Sequence, residues 1–238
     1  MSKQLVKLLF RSDKIFLLIF FCILITDLVF SNIESLRQFR YMSKLLVTTS
    51  LIIYFYYNNT NLIRKEKMLV YFALFFSFMA DFFLLHQKVI LFLVAGMVMF
   101  VLAKICYYFL FSYSSKLDID RLIPFLAIIL LYCLCIMYFL YDGLGQLFIP
   151  VVIYTFASLS VAKIAYLRYH GVNHKSFYLV FIGSVLFIIS ETIMSLDYFY
   201  KPVSHSSVTV MLTYGLSQLL TVKGILVEKK RNIGWGSY

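Results

Sequence analysis

Residues 88–112 read KVILFLVAGMVMFVLAKICYYFLFS, in which Lys104 is the only charged residue after Lys88. A helix needs about 20 mostly apolar residues to cross the hydrocarbon core of a bilayer, and this run is long enough. It is too long for a barrel strand and does not alternate polar with apolar residues. Runs of this kind recur along the chain and predict eight spans, near residues 14–31, 43–58, 66–86, 88–112, 121–140, 145–169, 174–196 and 205–227.

The composition favours the same fold class. Hydrophobic residues make up 62% of the chain and charged residues 14%, and the mean hydropathy is +0.88, whereas about a quarter of the residues of a soluble domain are charged. Too few polar residues are present to cover this apolar surface, so lipid must be the solvent. We therefore predict an all-α polytopic transmembrane helical bundle that forms a single transmembrane domain over residues 1–238.

The net charge of +11 would favour nucleic-acid binding in a soluble protein, but here its distribution predicts topology. If the N-terminus is cytoplasmic, fourteen Lys and Arg residues fall in cytoplasmic segments and four in external ones. Cytoplasmic loops are enriched in Lys and Arg. The pattern predicts an even number of spans with both termini cytoplasmic. Because the basic residues are expected to contact anionic lipid headgroups, nucleic acid is not an expected partner. The expected location is a bacterial inner membrane, which the chain crosses several times.

Ionisable residues inside spans are the candidates for function, because they are costly in lipid and usually face an interior cavity. Asp81 and Glu191 each lie five residues from the predicted outer end of a span, roughly 7–8 Å deep. Asp27 and Lys44 belong to the same layer and could instead form a structural salt bridge. Two carboxyls in a poorly hydrated pocket suit general acid–base catalysis, and they equally suit proton-coupled transport.

Two further polar pairs lie in the spans. Lys104 is deep and requires a carboxylate, a wet pocket or a lowered pKa, and Tyr107 shares its helix face. Tyr214 and Gln218 are also four residues apart and can form hydrogen bonds between helices. The four cysteines have no zinc-ligand spacing, and no metal site is predicted.

As a set, the polar motifs resemble those of the YhhN-type lysoplasmalogenase family, whose members are eight-helix membrane proteins. Five segments carry the resemblance, in order: YMSKLL at 41–46, FFSFMADFFLL at 75–85, PVVIY at 150–154, IGSVLFIISETIMSLDYF at 182–199 and TYGLSQLLTVKG at 213–224. The sequence departs from the family pattern at four positions. Leu45 replaces Pro, Ala80 replaces Gly, Glu191 replaces Asp, and Lys104 replaces the His of a His–Tyr pair.

The resemblance implies hydrolysis of the vinyl-ether bond of a lysoplasmalogen, with Asp81 and Glu191 as catalytic residues. Lys44 would hold the substrate phosphate as a point charge. The expected substrate-binding residues are Lys44, Lys104, Tyr107, Tyr154, Tyr214, Gln218 and Asp27. The expected partners are the lysophospholipid substrate and membrane lipids, with neither a metal nor an organic cofactor. Two alternatives stay open, a proton-coupled transporter and a catalytically lapsed lipid-binding relative.

Overall fold

The computed structural model describes residues 9–59 and 62–229, and every element in these ranges is helical. Each of the eight predicted segments is an α-helix. The helices are α1 (Asp13–Asn32), α2 (Arg40–Asn58), α3 (Arg64–Leu84), α4 (Ile90–Ser112), α5 (Ile119–Leu144), α6 (Phe148–Leu167), α7 (His174–Phe199) and α8 (Ser206–Leu226). The helical fold follows from the apolar runs, because in lipid the backbone must satisfy its hydrogen bonds internally.

Six helical stretches are long and apolar enough to cross a membrane, as in an integral membrane protein. One of them, Ile119–Leu167, contains both α5 and α6 with the short 3-10 turn Gly145–Leu147 between them. Gly145 has a φ of +46°, a conformation that favours glycine. The helix α2, which carries Arg40 and Lys44, is not among the six. The number of spans and the side of the termini stay predictions, and "outer end" below means the predicted external end of the bundle.

The packing places most helices around a common interior. The helix α7 packs along α8, α3 along α4, and α4 also against α6, while α1 contacts α2 and α8. Near the outer end α3 and α4 approach closely, because a Cβ at Gly96 would lie 2.8 Å from the Leu84 side chain. The helix α5 is peripheral: it contacts α6 and α7, and of its 26 residues only Ile136, Leu140 and Leu144 are buried.

A buried arginine joins four helices at the opposite, inner end. The Arg168 side chain has no exposed surface. Its Nε donates to Ser114 Oγ at 3.0 Å, and its Nη2 donates to Glu228 Oε2 at 2.8 Å and to Ser176 Oγ at 3.2 Å. These partners adjoin α4, α8 and α7, so Arg168, at the end of α6, fixes the inner ends of these four helices.

The topology can be tested by labelling intact cells with a membrane-impermeant thiol reagent. In a cysteine-free background we expect Lys88→Cys, between α3 and α4, to react from outside. Lys116→Cys, between α4 and α5, should react only after the membrane is opened. Both side chains are exposed, so the difference reports the side of the membrane. Labelling of Lys116→Cys alone in intact cells would reverse the predicted orientation.

Candidate active site

The structure places Asp81 of α3 and Glu191 of α7 on the wall of one cavity near the outer end of the bundle. The cavity has a volume of about 40 Å³, and both side chains are almost fully buried, at 1% and 8% exposure. The other polar side chains on its wall are Arg40, Lys44, Tyr154, Ser190 and Tyr214. Two acids that are 110 positions apart in sequence therefore line one cavity.

Asp81 is held by three side chains from two other helices. Its Oδ2 accepts hydrogen bonds from Thr48 Oγ1 at 2.7 Å and from the Tyr214 hydroxyl at 2.8 Å. Its Oδ1 lies 3.7 Å from Lys44 Nζ. That separation is longer than the 2.7–2.9 Å of a direct charge-assisted hydrogen bond. The two hydroxyl groups fix the orientation of the carboxyl and leave Oδ1 as the oxygen on the lysine side.

Glu191 forms a direct ion pair with Lys104 of α4. The Lys104 ammonium also donates to Ser158 Oγ at 2.5 Å and lies 3.5 Å from the centroid of the Tyr154 ring, within range of a cation–π interaction. Of the alternatives that the sequence leaves open for so deep a lysine, the structure shows the carboxylate partner. This lysine is 5% exposed and lies behind Glu191, so its contact is with the acid and not with the outer mouth of the cavity.

Asp27 lies outside this cavity. It is fully buried, accepts a hydrogen bond from Ser43 Oγ at 2.6 Å, and lies 3.8 Å from Arg40 Nε. The structure pairs Asp27 with Arg40 and pairs Lys44 with Asp81, which differs from the predicted Asp27–Lys44 bridge. Asp27 is thus the partner of Arg40, which lines the cavity, and is not itself part of the cavity wall.

A second cavity of about 30 Å³ lies deeper in the bundle. Lys104, Tyr107 and Gln218 line it, and Phe100 and Phe187 line both cavities. Gln218 accepts a hydrogen bond from the Tyr107 hydroxyl at 3.5 Å and donates to Ser77 Oγ at 3.4 Å. The predicted hydrogen bonding between helices by the Tyr214 and Gln218 pair is confirmed. The Lys104–Glu191 pair stands at the boundary of the two cavities.

Sequence reasoning missed three polar residues of the site. Arg40 was counted in an external loop, and Thr48 and Ser158 were not considered. All three lie at helical spacing from residues that were predicted for the site. Arg40 and Thr48 lie four residues before and after Lys44, and Ser158 lies four residues after Tyr154, so each shares a helix face with a predicted residue.

The charges around the cavity balance. Asp27 faces Arg40, Asp81 faces Lys44, and Glu191 faces Lys104, which gives three acids and three bases. A buried charge is tolerated when it is paired and hydrogen-bonded. No group of three or more His, Cys, Asp or Glu side chains that could hold a metal ion occurs among the described residues. The three ion pairs supply the site with carboxyl and cationic groups.

The sequence of the chain matches one known protein family. The sequence model of the YhhN family matches residues 39–225, which include all of the site except Asp27. The chain belongs to the YhhN family. No curated protein and no solved structure matched the chain in the same comparison. The five motifs that resembled this family in sequence thus lie within a match that covers α2 to α8.

Two departures from the YhhN family pattern turn out to be partners. Lys104 replaces the His and Glu191 replaces the Asp of that pattern, and these two side chains form an ion pair. The longer acid and the longer base meet across α4 and α7. In this protein the two positions at which the sequence departs from the resemblance thus supply the base and the acid of one ion pair.

This pairing predicts non-additive effects. We expect Lys104→His and Glu191→Asp each to lower thermal stability, because each shortens one partner only. The double variant should be more stable than the sum of the single effects predicts, by about 0.5–3 kcal/mol, the range found for residues in contact. Unfolding of the four proteins in one detergent measures this coupling. A coupling near zero would mean that the two positions act independently.

Proposed function

We propose that this YhhN family protein is a hydrolase of a bacterial inner membrane that cleaves the vinyl-ether bond of lysoplasmalogen-type lysophospholipids. The products are a fatty aldehyde and a glycerophospho-base. The observation that carries the proposal is that Asp81 and Glu191 line one cavity whose wall also holds Lys44 and Arg40. A lipid substrate also accounts for a site that lies inside the bundle near the outer end of the helices.

The reaction needs an acid, a water molecule and a stabiliser of positive charge. A proton adds to the alkene carbon distal to the ether oxygen, and the π electrons form the new C–H bond. The cation that remains is shared between the other carbon and the ether oxygen. Water adds to that carbon and loses a proton, and the hemiacetal collapses to the aldehyde and the glycerol hydroxyl. One carboxylic acid and one carboxylate suffice for these steps.

The contacts support different roles for the two acids. Glu191 is in direct contact with the Lys104 ammonium, which holds its carboxyl group in place on the cavity wall. We assign it to stabilise the oxocarbenium ion and to accept the proton of the attacking water. Asp81 accepts two hydrogen bonds at Oδ2, so a proton on this residue is carried by Oδ1. We assign Asp81 as the acid that protonates the alkene.

The cations at the mouth support a phosphate-containing substrate. Arg40 and Lys44 lie four residues apart on α2, on the same helix face, and both line the cavity. Two like charges on adjacent turns repel each other, and an anion between them would offset the repulsion. A phosphate held by Lys44 and Arg40 would also draw Lys44 away from Asp81 Oδ1, which frees this oxygen to carry its proton when substrate is present.

The substrate requires the site to open. A cavity of about 40 Å³ holds a few water molecules at most, whereas pockets for drug-sized ligands have volumes of about 300–1,000 Å³. Phe100 and Phe187 line both the outer and the deeper cavity. Movement of these rings would join the two spaces, with the headgroup at the mouth and the chain toward the interior.

The direct test is aldehyde release by the purified full-length protein from alkenyl lysophosphatidylcholine, measured with a coupled reductase. We expect the alkyl-ether analogue, which lacks the double bond, to be stable. In D₂O the aldehyde should be trapped with one deuterium on the carbon next to the carbonyl, because that carbon receives the catalytic proton. A protein that is folded and releases no aldehyde in lipid nanodiscs would contradict the proposal.

A further inference from the structure

A further cavity lies at the inner end of the bundle, away from the acids. It is a groove of about 400 Å³ on the surface of the α3–α4 pair. Its lining residues are Arg64, Lys65, Met68, Leu69, Phe72, Phe109 and Tyr113. The groove is about ten times larger than the cavity at Asp81, and the proposed hydrolysis assigns it no role.

The groove has basic residues at one end and apolar residues along its length. Arg64 and Lys65 are the first two residues of α3 and are exposed. Phe72 lies eight residues further along α3, about 12 Å deeper at 1.5 Å per residue. On α4, Tyr113 caps the helix end and Phe109 lies one turn deeper. The polarity therefore changes along the groove as it does along a phospholipid, from headgroup to chain.

The apolar walls of the groove are not covered by protein. Met68 and Phe72 are each 47% exposed, and Phe109 and Tyr113 are each 53% exposed. At the other end of the same helix pair, Gly96 permits close contact with Leu84. The two helices are thus in tight contact at the outer end and leave a channel at the inner end, where a chain can lie between them.

Glu66, the acid in the first turn of α3, is not placed to repel an anion in the groove. Glu66 is buried, and its Oε2 accepts a hydrogen bond from the Ile63 backbone N–H at 3.1 Å. This carboxylate occupies the N-terminus of α3 as a helix cap. Anion binding in the groove thus depends on the two basic side chains and not on the helix terminus.

We infer that this groove binds an anionic phospholipid of the inner leaflet, with the phosphate at Arg64 and Lys65 and one acyl chain along Met68, Phe72 and Phe109. Basic pockets between transmembrane helices on the cytoplasmic side bind anionic headgroups, and each basic residue near the membrane surface contributes about fivefold to affinity. The lipid would link α3 and α4, the helices that carry Asp81 and Lys104. The inference is independent of the proposed hydrolysis.

The first experiment measures lipid retention by the full-length protein in native mass spectrometry. We expect about a 25-fold preference for phosphatidylglycerol over phosphatidylcholine, from two basic residues at about fivefold each. The variant Arg64→Gln/Lys65→Gln should lose most of this preference. Its matched control, Lys116→Gln/Lys175→Gln, removes two exposed basic residues from the same end of the bundle and should retain it. An equal loss of this preference in both variants would mean that it depends on overall charge, and would contradict a specific site in the groove.

A second experiment tests whether the acyl chain of the lipid lies in the groove. Phe109→Trp in a Trp235→Phe background provides one tryptophan in the groove. We expect brominated phosphatidylglycerol to quench it more than brominated phosphatidylcholine, and the difference to disappear in Arg64→Gln/Lys65→Gln. Soluble glycerol phosphate should not displace the lipid, because it lacks the chain. Equal quenching by the two lipids, or displacement by glycerol phosphate alone, would overturn the inference.

Discussion

Asp81→Asn should lower the rate of aldehyde release by about 10²–10⁴-fold, the usual contribution of a positioned acid. Asparagine has nearly the same shape and can still accept hydrogen bonds from Thr48 and Tyr214. It has no acidic proton to give to the alkene. The expected loss therefore appears in kcat with a folded protein, as the coupled aldehyde assay and thermal unfolding together can show.

The control for this variant is Asp142→Asn, which removes an exposed carboxyl at the outer end of α5. It should leave both activity and unfolding temperature unchanged. If Asp81→Asn unfolds, Tyr214→Phe provides a second measurement, since it removes one hydrogen bond to Oδ2 and keeps the acid. An Asp81→Asn protein that is folded and nearly as active as wild type would assign the proton to another group.

Lys104→Met should destabilise the fold by about 3–5 kcal/mol, the cost of leaving one member of a buried ion pair without its partner. Glu191 is 8% exposed, and the Lys104 ammonium is its ion-pair partner. Activity should also fall, because the Glu191 carboxyl loses the contact that holds it in place. Denaturant or thermal unfolding in detergent measures the first effect, and aldehyde release the second.

The double variant Lys104→Met/Glu191→Gln separates the two effects. Replacing both members of a buried pair by uncharged residues is often close to neutral, so we expect most of the stability to return while activity stays absent. A Lys104→Met protein as stable as wild type would show that Glu191 is already neutral or hydrated. Recovery of activity in the double variant would remove Glu191 from the mechanism.

The helices could be predicted from the sequence because the helical state of each apolar run is determined by the residues of that run. A run such as residues 88–112 satisfies its backbone hydrogen bonds within itself, so its helical state does not depend on its neighbours. All eight helices were found this way, although α2 begins at Arg40, three residues before the predicted span, which moves this residue from a loop to the cavity wall.

The partners of the polar residues could be predicted only in part. The need of Lys104 for a carboxylate follows from its depth in the bundle, but the identity of that carboxylate depends on the rotation and neighbours of α4 and α7. For the same reason the sequence could not decide between Asp27 and Asp81 as the partner of Lys44. The rotation of a helix about its axis is set by its packing against other helices, so it cannot be deduced from the sequence of that helix alone.

The balance of three acids and three bases has a consequence for how such a protein can change over generations. Losing one member of the Lys104–Glu191 pair leaves a net charge in a medium that solvates it poorly. A neutral or favourable route therefore alters two codons that are 87 positions apart in the chain. Variation among related sequences should accordingly appear at these positions in matched pairs, and a mismatched pair would mark a copy whose interior has become hydrated or whose activity no longer matters.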